Sequence, residues 1–196
     1  MAGGQLDITA TARLPTRHGE FSLDSFRYGD DPVPHLALSV GRLNGEATPL
    51  VRVHSECATG ELFGSLRCDC AAQLDESLRR IHAAGCGVLV YLRQEGRGIG
   101  IENKLKAYAL QDQGLDTVEA NIALGLPVDA RSFAPGVAYL QERGVTRCQL
   151  LTNNPEKVKA LVDAGIEVTR VPLKTPGQEH SHPYMEAKRL RLGHDL

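Results

Sequence analysis

The sequence of 196 residues carries a formal net charge of -2 and has a pI near 6.4. This balance leaves no basic stripe, which argues against a broad nucleic-acid surface. With no tryptophan, five tyrosines and four phenylalanines, the chain also lacks a base-stacking platform for single strands. The length suits one domain, residues 1–196, which can bury an apolar core without disulfides or metals as staples.

Targeting and membrane signals are not visible in the sequence. The segment up to Pro15 lacks a basic region followed by an apolar run, and the longest apolar run, Gly87 to Leu92, is too short to span a bilayer. Five cysteines, an odd number, favour metal binding, catalysis or buried thiols over a disulfide framework. Cys86 and Cys148, at and within predicted strands, are expected to be inert packing residues. We therefore expect a cytoplasmic protein that binds no membrane.

The first quarter of the chain alternates apolar and polar residues with a period of two. This period predicts strands, and the Pro and Gly signals between them are typical of an antiparallel meander. The predicted strands are residues 5–13, 20–27, 35–42 and Pro49 to Val53.

From Ala71 onward the period changes and helices alternate with strands. Leu74, Leu78 and Ile81 share one helical face, and Asp116 is placed to cap a short helix. The predicted helices are Ala71–Ala84, Ile101–Gln111, a short one after Asp116, Phe133–Arg143, Pro155–Ala164 and Pro183–Leu190, and the predicted strands are Gly87–Leu92, Arg147–Leu151 and Ile166–Val171. The pattern predicts an α/β (α+β) fold with a mixed, largely antiparallel sheet and peripheral helices.

The most specific chemical signal is the group Cys57, Cys68 and Cys70. Three thiolates form a soft donor set that suits zinc. Cys68 and Cys70 come just before a predicted helix, whose N-terminal dipole would lower their pKa values and favour the metal-binding form. The spacing favours a metal over three ordinary buried thiols or a Cys68–Cys70 redox pair. It leaves open whether the site is catalytic, with a position for water, or structural and closed by His54.

A glycine-rich segment from Tyr91 to Gly100 lies between a predicted strand and a predicted helix. Its backbone amides could approach an anion, and Arg97 could add a bidentate phosphate contact. The pattern is neither a Walker A loop nor a dinucleotide fingerprint, so a turn with solvated charges is the simpler interpretation of this segment alone.

Two further polar segments have a simple interpretation when each is taken alone. Asp129 and Arg131 suit surface charges in a loop, and the residues from Thr152 to Lys157 suit the cap of a helix. A strand-to-helix junction is equally well placed for a phosphate.

Together these motifs resemble one known family, GTP cyclohydrolase II. The segment RVHSECATGELFGSLRCDC (Arg52 to Cys70) is similar to that family's zinc and nucleotide motif. The segments RQEGRGIG (93–100), NKLKAYALQDQGLDTVEAN (103–121) and LLTNNPEKV (150–158) are similar to its other motifs. The motifs occur in the family's order and approximate spacing, from about Leu14 to His194, and their combination is highly specific.

The resemblance implies a set of site residues. The implied ligands of one zinc ion per chain are Cys57, Cys68 and Cys70; the implied catalytic residues are Tyr108, Asp129 and Arg131; and the implied GTP-binding residues are Arg52, Val53, His54, Ser55, Glu56, Gln73 (at the guanine), Glu95, Gly96, Arg97, Thr117, Thr152 and Lys157. It further implies a homodimer and the stand-alone form of the enzyme. Magnesium is expected on the triphosphate, because it neutralises charge during phosphoryl transfer.

The implied reaction is hydrolysis of GTP to 2,5-diamino-6-(5-phosphoribosylamino)pyrimidin-4(3H)-one, formate and pyrophosphate, which commits GTP to riboflavin synthesis. Zinc lowers the pKa of water for attack at C8, and Tyr108 would position or protonate the reacting group. Thiolate ligands reduce the positive charge of the metal, so neighbouring donors would be needed to complete activation. Arg131 would act at the α-phosphorus, either as a nucleophile assisted by Asp129 or as a clamp for transition-state charge.

The sequence departs from the family's usual pattern at three positions. Ala71 stands where Gly is common, Glu102 where an apolar residue is usual, and Ser132 where an acidic residue is usual. None of these changes removes an implied catalytic group, but Ser132 bears on the geometry around Arg131.

Three other functions are consistent with parts of the pattern. A paralogue would open the ring but keep the formyl group, and Tyr108 favours the complete reaction over this one. A non-catalytic regulator would bind GTP with zinc as a structural staple. A thiol redox protein would form a Cys68–Cys70 disulfide and hold no metal.

Overall fold

The structure is a computed structural model that describes residues 4–175, so the helix predicted at Pro183–Leu190 lies outside the described residues. The chain folds as two compact units. The sheet unit contains the described residues up to His54, Leu74–Arg93 and Phe133–Leu173, and the site unit is built from Ser55–Gln73 and Gln94–Ser132. None of the helices in the described part is both long and apolar enough to cross a membrane.

Seven strands form one mixed sheet in the order β1-β2-β3-β5-β4-β6-β7. The strands are β1 (Leu6–Thr16), β2 (Gly19–Tyr28), β3 (His35–Val40), β4 (Leu50–Ser55), β5 (Gly87–Leu92), β6 (Arg147–Leu151) and β7 (Glu167–Val171). The pairs β1–β2, β2–β3 and β3–β5 are antiparallel, whereas β4–β6 and β6–β7 are parallel. The predicted mixed and largely antiparallel sheet is confirmed, and the first three strands form the predicted meander.

Six α-helices and one 3₁₀ turn complete the described part. They are α1 (Ala58–Glu61), α2 (Cys70–Ala84), the 3₁₀ turn (Glu95–Gly98), α3 (Gly100–Gln111), α4 (Thr117–Ala123), α5 (Ala134–Glu142) and α6 (Pro155–Asp163). Asp116 caps α4 as predicted, because its carboxylate accepts from the amides of Val118 and Glu119. Neither α1 nor the 3₁₀ turn is predicted from the sequence, because both are too short to show a hydrophobic period.

The central strand β5 shows how the core of the sheet unit is organised. Successive side chains of a strand point to opposite faces, so Val88 and Val90 join one apolar cluster while Leu89 joins another. The first cluster includes Tyr139 of α5, and the second includes Ile81 of α2. Both faces of this strand are covered, which accounts for its continuous apolar sequence.

The two remaining cysteines differ in their surroundings. Cys148 is buried within β6, and burial raises the pKa of its thiol to about 12, so its predicted role in packing is confirmed. Cys86 precedes β5, is only half-buried, and donates its thiol hydrogen to the carbonyl of Arg42 at 3.2 Å. The prediction that Cys86 is a core residue is wrong, because it lies in the turn before the buried strand.

A buried polar group, here called the carboxylate network, ties β2 to α5 in the sheet unit. The Asp24 carboxylate, 1% exposed, accepts from the hydroxyls of Thr11 at 2.6 Å and Tyr139 at 2.5 Å, and from the Arg143 guanidinium. Burial alone would raise the pKa of Asp24, but these hydrogen bonds hold it below its ordinary value. Burial and the neighbouring carboxylate raise the pKa of Tyr139. The network is a structural use of buried charge.

Candidate active site

Three thiols of the site unit converge on one point. Cys57 immediately precedes α1, Cys70 is the first residue of α2, and Cys68 lies in the intervening loop. The three sulfur atoms lie within 4.8 Å of one another, and the Sγ atoms of Cys57 and Cys68 are 3.6 Å apart. All three cysteines are reduced and none forms a disulfide. The cysteines singled out in the sequence therefore form a single group, here called the thiol cluster.

Gly60 of α1 leaves space for the sulfur atoms of the thiol cluster, because it has no side chain. A Cβ atom placed on Gly60 would lie 2.9 Å from the Sγ of Cys68 and 3.3 Å from that of Cys57, both tighter than ordinary contacts. Gly60 is not among the site residues predicted from the sequence, although a glycine three residues after Cys57 is visible there. Any larger residue there would displace sulfur atoms from their positions.

The thiol cluster fits a soft divalent metal. Three sulfur donors at this separation suit zinc, whose catalytic sites keep three protein ligands and one further position. His54 was considered as a fourth ligand, but the metal-ligand group found among residues 4–175 contains the three cysteines without it. In the sheet unit, the His54 ring stacks on Tyr91 with ring centroids 5.7 Å apart.

The three thiols share negative charge unequally. Hydrogen bonds from Cys68 and Cys70 hold the pKa of Cys57 well below its usual range, so Cys57 is a thiolate. The hydrogen bond to that thiolate raises the pKa of Cys68. The predicted lowering of the Cys68 pKa is wrong for the metal-free thiols, because the adjacent Cys57 thiolate and burial outweigh the lowering contacts with Cys70.

A buried cation from α3 faces the thiol cluster. The Nζ of Lys104 donates to the Sγ of Cys57 at 3.1 Å and to the Oε1 of Glu95 at 2.8 Å. Burial alone would lower the pKa of Lys104, but the contacts with Glu95 and Cys57 raise it above its ordinary value. Lys104 is therefore an ammonium beside a thiolate. Lys104 is not among the site residues predicted from the sequence, because nothing in the sequence shows that α3 approaches Cys57.

Tyr108 is connected to the thiol cluster by a hydrogen bond with Thr59. The hydroxyl of Thr59 lies 3.7 Å from the Sγ of Cys57, and its side chain hydrogen-bonds to Tyr108. The Arg67 guanidinium covers the tyrosine ring, 4.7 Å from its centroid. Burial raises the pKa of Tyr108, so the phenol keeps its proton at neutral pH. The site unit thus places a proton donor next to the thiol cluster.

Asp129 and Arg131 form a fork in the loop before α5. The Asp129 carboxylate accepts from the Arg131 Nε at 2.9 and 3.1 Å and from its terminal nitrogen at 2.5 Å. Although burial raises the pKa of Asp129, the hydrogen bonds from Arg131 lower it below the ordinary value. Asp129 is therefore ionised, and it orients the guanidinium of Arg131 as a hydrogen-bond donor.

The glycine-rich segment holds this loop by close backbone contact. Gly96, Arg97 and Gly98 all have positive φ angles, and Arg97 is the sole non-glycine with this conformation among the described residues. That conformation costs a non-glycine roughly 1–2 kcal/mol. The Arg97 carbonyl accepts from the Ala130 amide at 2.9 Å, and a Cβ on Gly98 would lie 2.8 Å from the Ala130 oxygen. The close approach requires a glycine at position 98.

Gln94, which is not among the site residues predicted from the sequence, adds a second tether to the loop. Its Nε2 donates to the carbonyl of Ser132 at 2.7 Å, and its Oε1 is buried without a hydrogen-bond partner. Ser132 contributes its backbone carbonyl, which every residue type possesses. The departure from the family's usual acidic residue at this position therefore leaves the tether to the Arg131 loop in place.

The remaining expected residues of the site unit lie at the ends of elements. The Ser55 hydroxyl, at the end of β4, is buried without a hydrogen-bond partner, and Glu56 follows it. Gln73 donates to the Asp69 carboxylate at 2.5 Å. Thr117 begins α4, and its hydroxyl accepts from the last residue of α3 at 3.3 Å. The structure thus gives each of these residues a position without bringing them into the thiol cluster.

The sheet unit carries the other expected residues, where parallel strands β4 and β6 end. Lys157 of α6 is buried and donates to the carbonyl of Val53 at 2.9 Å. Arg52 is also buried and donates to the carbonyl of the last residue of β6 at 2.9 Å. Thr152 accepts from the amide of the residue that caps α6 at 3.0 Å. Two cations and a helix N-terminus thus lie at the carboxyl ends of parallel strands, which is a typical location for a phosphate.

Comparison with known proteins identifies relatives of this chain. The sequence model of GTP cyclohydrolase II matches residues 7–172. GTP cyclohydrolase-2 of Neisseria gonorrhoeae is 48% identical over 190 residues, 96% of each chain. The riboflavin biosynthesis protein RibBA of Salinispora tropica is 50% identical over 98% of this chain, which spans 48% of that protein's length.

Among solved structures, RibBX, a two-domain 3,4-dihydroxy-2-butanone 4-phosphate synthase from A. baumannii, is 22% identical with a TM-score of 0.47. That match covers 84% of this chain and 40% of the other. The sequence matches, which extend over nearly all of this chain, establish its family. The chain belongs to the GTP cyclohydrolase II family, a family of hydrolases in riboflavin biosynthesis.

Proposed function

We propose that this chain, acting as one domain over residues 1–196, hydrolyses GTP to 2,5-diamino-6-(5-phosphoribosylamino)pyrimidin-4(3H)-one, formate and pyrophosphate. The observation that carries the proposal is the thiol cluster, with the protonated phenol of Tyr108 next to it. Cys57, Cys68 and Cys70 would hold one zinc ion. When bound, zinc supplies Lewis acidity that activates water and polarises the formyl oxygen.

Tyr108 serves the ring-opening half of the reaction. Its raised pKa keeps the phenol protonated, so it can donate a hydrogen bond or a proton to the reacting group at C8. Thr59 orients the hydroxyl, and Arg67 covers the ring, so the side chain has little freedom to turn away. A fixed donor stabilises the transition state more than a mobile one, because no reorganisation is needed when charge develops.

Arg131 serves pyrophosphate release as a clamp for charge at the α-phosphorus. The fork with Asp129 uses the guanidinium as a hydrogen-bond donor, and a protonated guanidinium has no lone pair to offer phosphorus. The geometry therefore favours the clamp over the nucleophile. Asp129 orients the clamp, and the contacts of Gln94 and Arg97 hold the loop that carries it.

The GTP-binding residues divide by chemistry. Arg52, Thr152 and Lys157 offer cations and a helix N-terminus, which suit the triphosphate with its magnesium ion. Gln73 offers an amide that suits the edge of guanine. The other proposed contacts are Val53, His54, Ser55, Glu56, Glu95, Gly96, Arg97 and Thr117. We further propose a cytoplasmic homodimer.

The decisive experiment measures all three products together. Zinc-loaded protein is incubated with GTP and magnesium, and formate, pyrophosphate and the mass of the pyrimidine are followed. Tyr108→Phe should lower formate release by roughly 10²-fold, because it removes the proton donor. Arg131→Ala should lower pyrophosphate release by roughly 10²- to 10³-fold, because it removes a preorganised charge clamp.

Each alternative gives a different result in the same assay. A pyrimidine that retains the formyl group would identify the ring-opening paralogue. GTP binding without formate would identify the regulator with structural zinc. Protein without zinc, with a Cys68–Cys70 disulfide, would identify the redox protein. Any of these three results refutes the proposed reaction.

A further inference from the structure

The Lys104 ammonium lies beside the thiol cluster, but the proposed reaction gives it no role. Its side chain is 11% exposed, and its nitrogen lies 3.1 Å from the Cys57 sulfur and 2.8 Å from a Glu95 oxygen. It also lies 5.8 Å from the centroid of the Tyr108 ring. Burying an ammonium is costly unless partners satisfy it, so its contacts with a thiolate and a carboxylate need an explanation.

Glu95 fixes the ammonium and the Cys57 backbone at the same time. One carboxylate oxygen accepts from Lys104 at 2.8 Å and from the Gly96 amide at 2.6 Å. The other accepts from the amide of Ala58, the residue after Cys57, at 2.5 Å. Both oxygens are therefore engaged within the site unit. This holding role comes in addition to any contact that Glu95 makes with GTP.

Gly96 makes this arrangement possible. Its φ angle is +62°, and a Cβ there would lie 3.2 Å from the Cβ of Lys104 and 3.1 Å from a side-chain carbon of Ile99. The glycine therefore lets the first turn of α3 pack against the turn that carries Glu95. Lys106, two residues further along α3, is exposed, and it takes no part in the contacts described above for Lys104.

We infer that Lys104, held by Glu95, is a positioning residue of the thiol cluster that draws electron density from the Cys57 thiolate and strengthens the hold on the metal. Three thiolates and one divalent ion carry one excess negative charge, which weakens the metal as a Lewis acid. A hydrogen bond from an ammonium to a ligand sulfur offsets part of that charge and fixes the sulfur's direction. The inference rests on the proposed zinc-dependent reaction.

The test compares Lys104→Met, which removes the charge, with Lys104→Arg, which keeps it. Lys106→Met is the matched control on the same helix. Zinc affinity is measured without GTP, by competition with a chromogenic chelator. Lys104→Met should weaken zinc binding by roughly 10- to 100-fold, the usual effect of losing an outer-shell partner. Lys104→Arg should recover part of this loss, and Lys106→Met should bind zinc as the unchanged protein does.

A spectroscopic measurement separates electronic positioning from simple support of the fold. In the cobalt-substituted protein, the sulfur-to-cobalt charge-transfer band should move to lower energy in Lys104→Met. The reason is that a thiolate without its hydrogen bond gives up an electron more easily. Glu95→Gln should shift the band less, because the amide still offers one acceptor oxygen to Lys104.

Three outcomes overturn the inference. The first is Lys104→Met matching Lys106→Met in both zinc affinity and band position. The second is Lys104→Arg losing as much as Lys104→Met, which would show that shape rather than charge matters. The third is an equal fall in the apo-protein unfolding temperature of both Lys104 variants with no band shift, which would show a role in folding. Failure of the proposed reaction is recognised separately, because the unchanged protein with stoichiometric zinc would then form no formate.

Discussion

The carboxylate network of the sheet unit and the thiol cluster of the site unit bury charge in opposite ways. In the network, the Asp24 carboxylate is matched by the Arg143 guanidinium and by two hydroxyl donors. In the thiol cluster, three sulfur atoms lie within 4.8 Å of one another, and the Lys104 ammonium donates to one of them, that of Cys57, and also to Glu95. The network is electrically balanced within the protein, whereas the cluster in its metal-binding form, with three thiolates, carries an excess of negative charge.

This difference shows which observation indicates function. Both regions contain groups with displaced pKa values, so the displacement alone does not distinguish a structural site from a chemical one. An excess of thiolate donors does distinguish a chemical site from a structural one. Buried thiolates without matching positive charge in the protein are stable only when they bind a cation. The comparison predicts that substitutions in the cluster change metal binding and activity, while substitutions in the network change stability.

The largest effect is expected from Cys68→Ser, which breaks the thiol cluster. A hard hydroxyl replaces a soft sulfur, so zinc should fall well below one ion per chain and formate release should drop roughly 10³-fold or more. Metal analysis of purified protein and a formate assay measure both. Cys86→Ser is the control. The half-buried thiol of Cys86 donates to a backbone carbonyl and lies outside the thiol cluster, so this variant should leave both zinc content and formate release unchanged. Full zinc content in Cys68→Ser would contradict the assignment.

Gly60→Ala should give the next largest effect and acts on the cluster without touching a ligand. The added Cβ would lie 2.9 Å from the Cys68 sulfur, so the sulfur must move and zinc affinity should fall by roughly 10- to 100-fold. Alanine is favoured over glycine within a helix by about 1 kcal/mol, which offsets the cost of moving the sulfur, so the stability of the zinc-free protein should change little. Chelator competition and thermal unfolding measure the two quantities.

Gly45→Ala is the control for Gly60→Ala. A Cβ on Gly45 would meet its nearest neighbour at 3.5 Å, an ordinary contact in the sheet unit. It should leave zinc affinity unchanged. Equal zinc affinity in the two variants would show that α1 does not confine the sulfur atoms.

Asp24→Asn should reverse the pattern, lowering stability and leaving the chemistry intact. The neutral amide cannot match the Arg143 charge, so the free energy of unfolding should fall by about 1–3 kcal/mol. Urea unfolding measures it, and zinc content and formate release per folded chain should stay unchanged. The exposed Asp30→Asn is the control, expected to change stability by less than about 0.5 kcal/mol. Loss of zinc in Asp24→Asn would remove the distinction between the two regions.

The sequence predicted the sheet unit more completely than the site unit, for a physical reason. Strand alternation and helix period are local, so β1, β5 and α2 were found within a few residues of their true ends. The three cysteines also carried a local signal in their spacing. The sequence also predicts that donors are needed near the thiolates. It does not identify Lys104 as one of them, because Lys104 lies 47 residues from Cys57 and contacts it only in the folded chain. The roles of Gly60 and Gln94 likewise depend on tertiary approach.

The smallest expected effect is the acid dependence of the carboxylate network. The folded-state pKa of Asp24 lies below its ordinary value of 3.8, so the unfolded chain takes up the proton first as the pH falls. The stability contributed by Asp24 is therefore complete at neutral pH and is lost from about pH 5 downward through the folded pKa, at about 1.4 kcal/mol for each unit of displacement. The difference in unfolding free energy between the unchanged protein and Asp24→Asn should thus shrink between pH 7 and pH 3.5. Zinc loss and the titration of other groups occur in both proteins, so their contributions to this difference cancel. A difference in unfolding free energy that stayed constant with pH would show that Asp24 is not held as an ion.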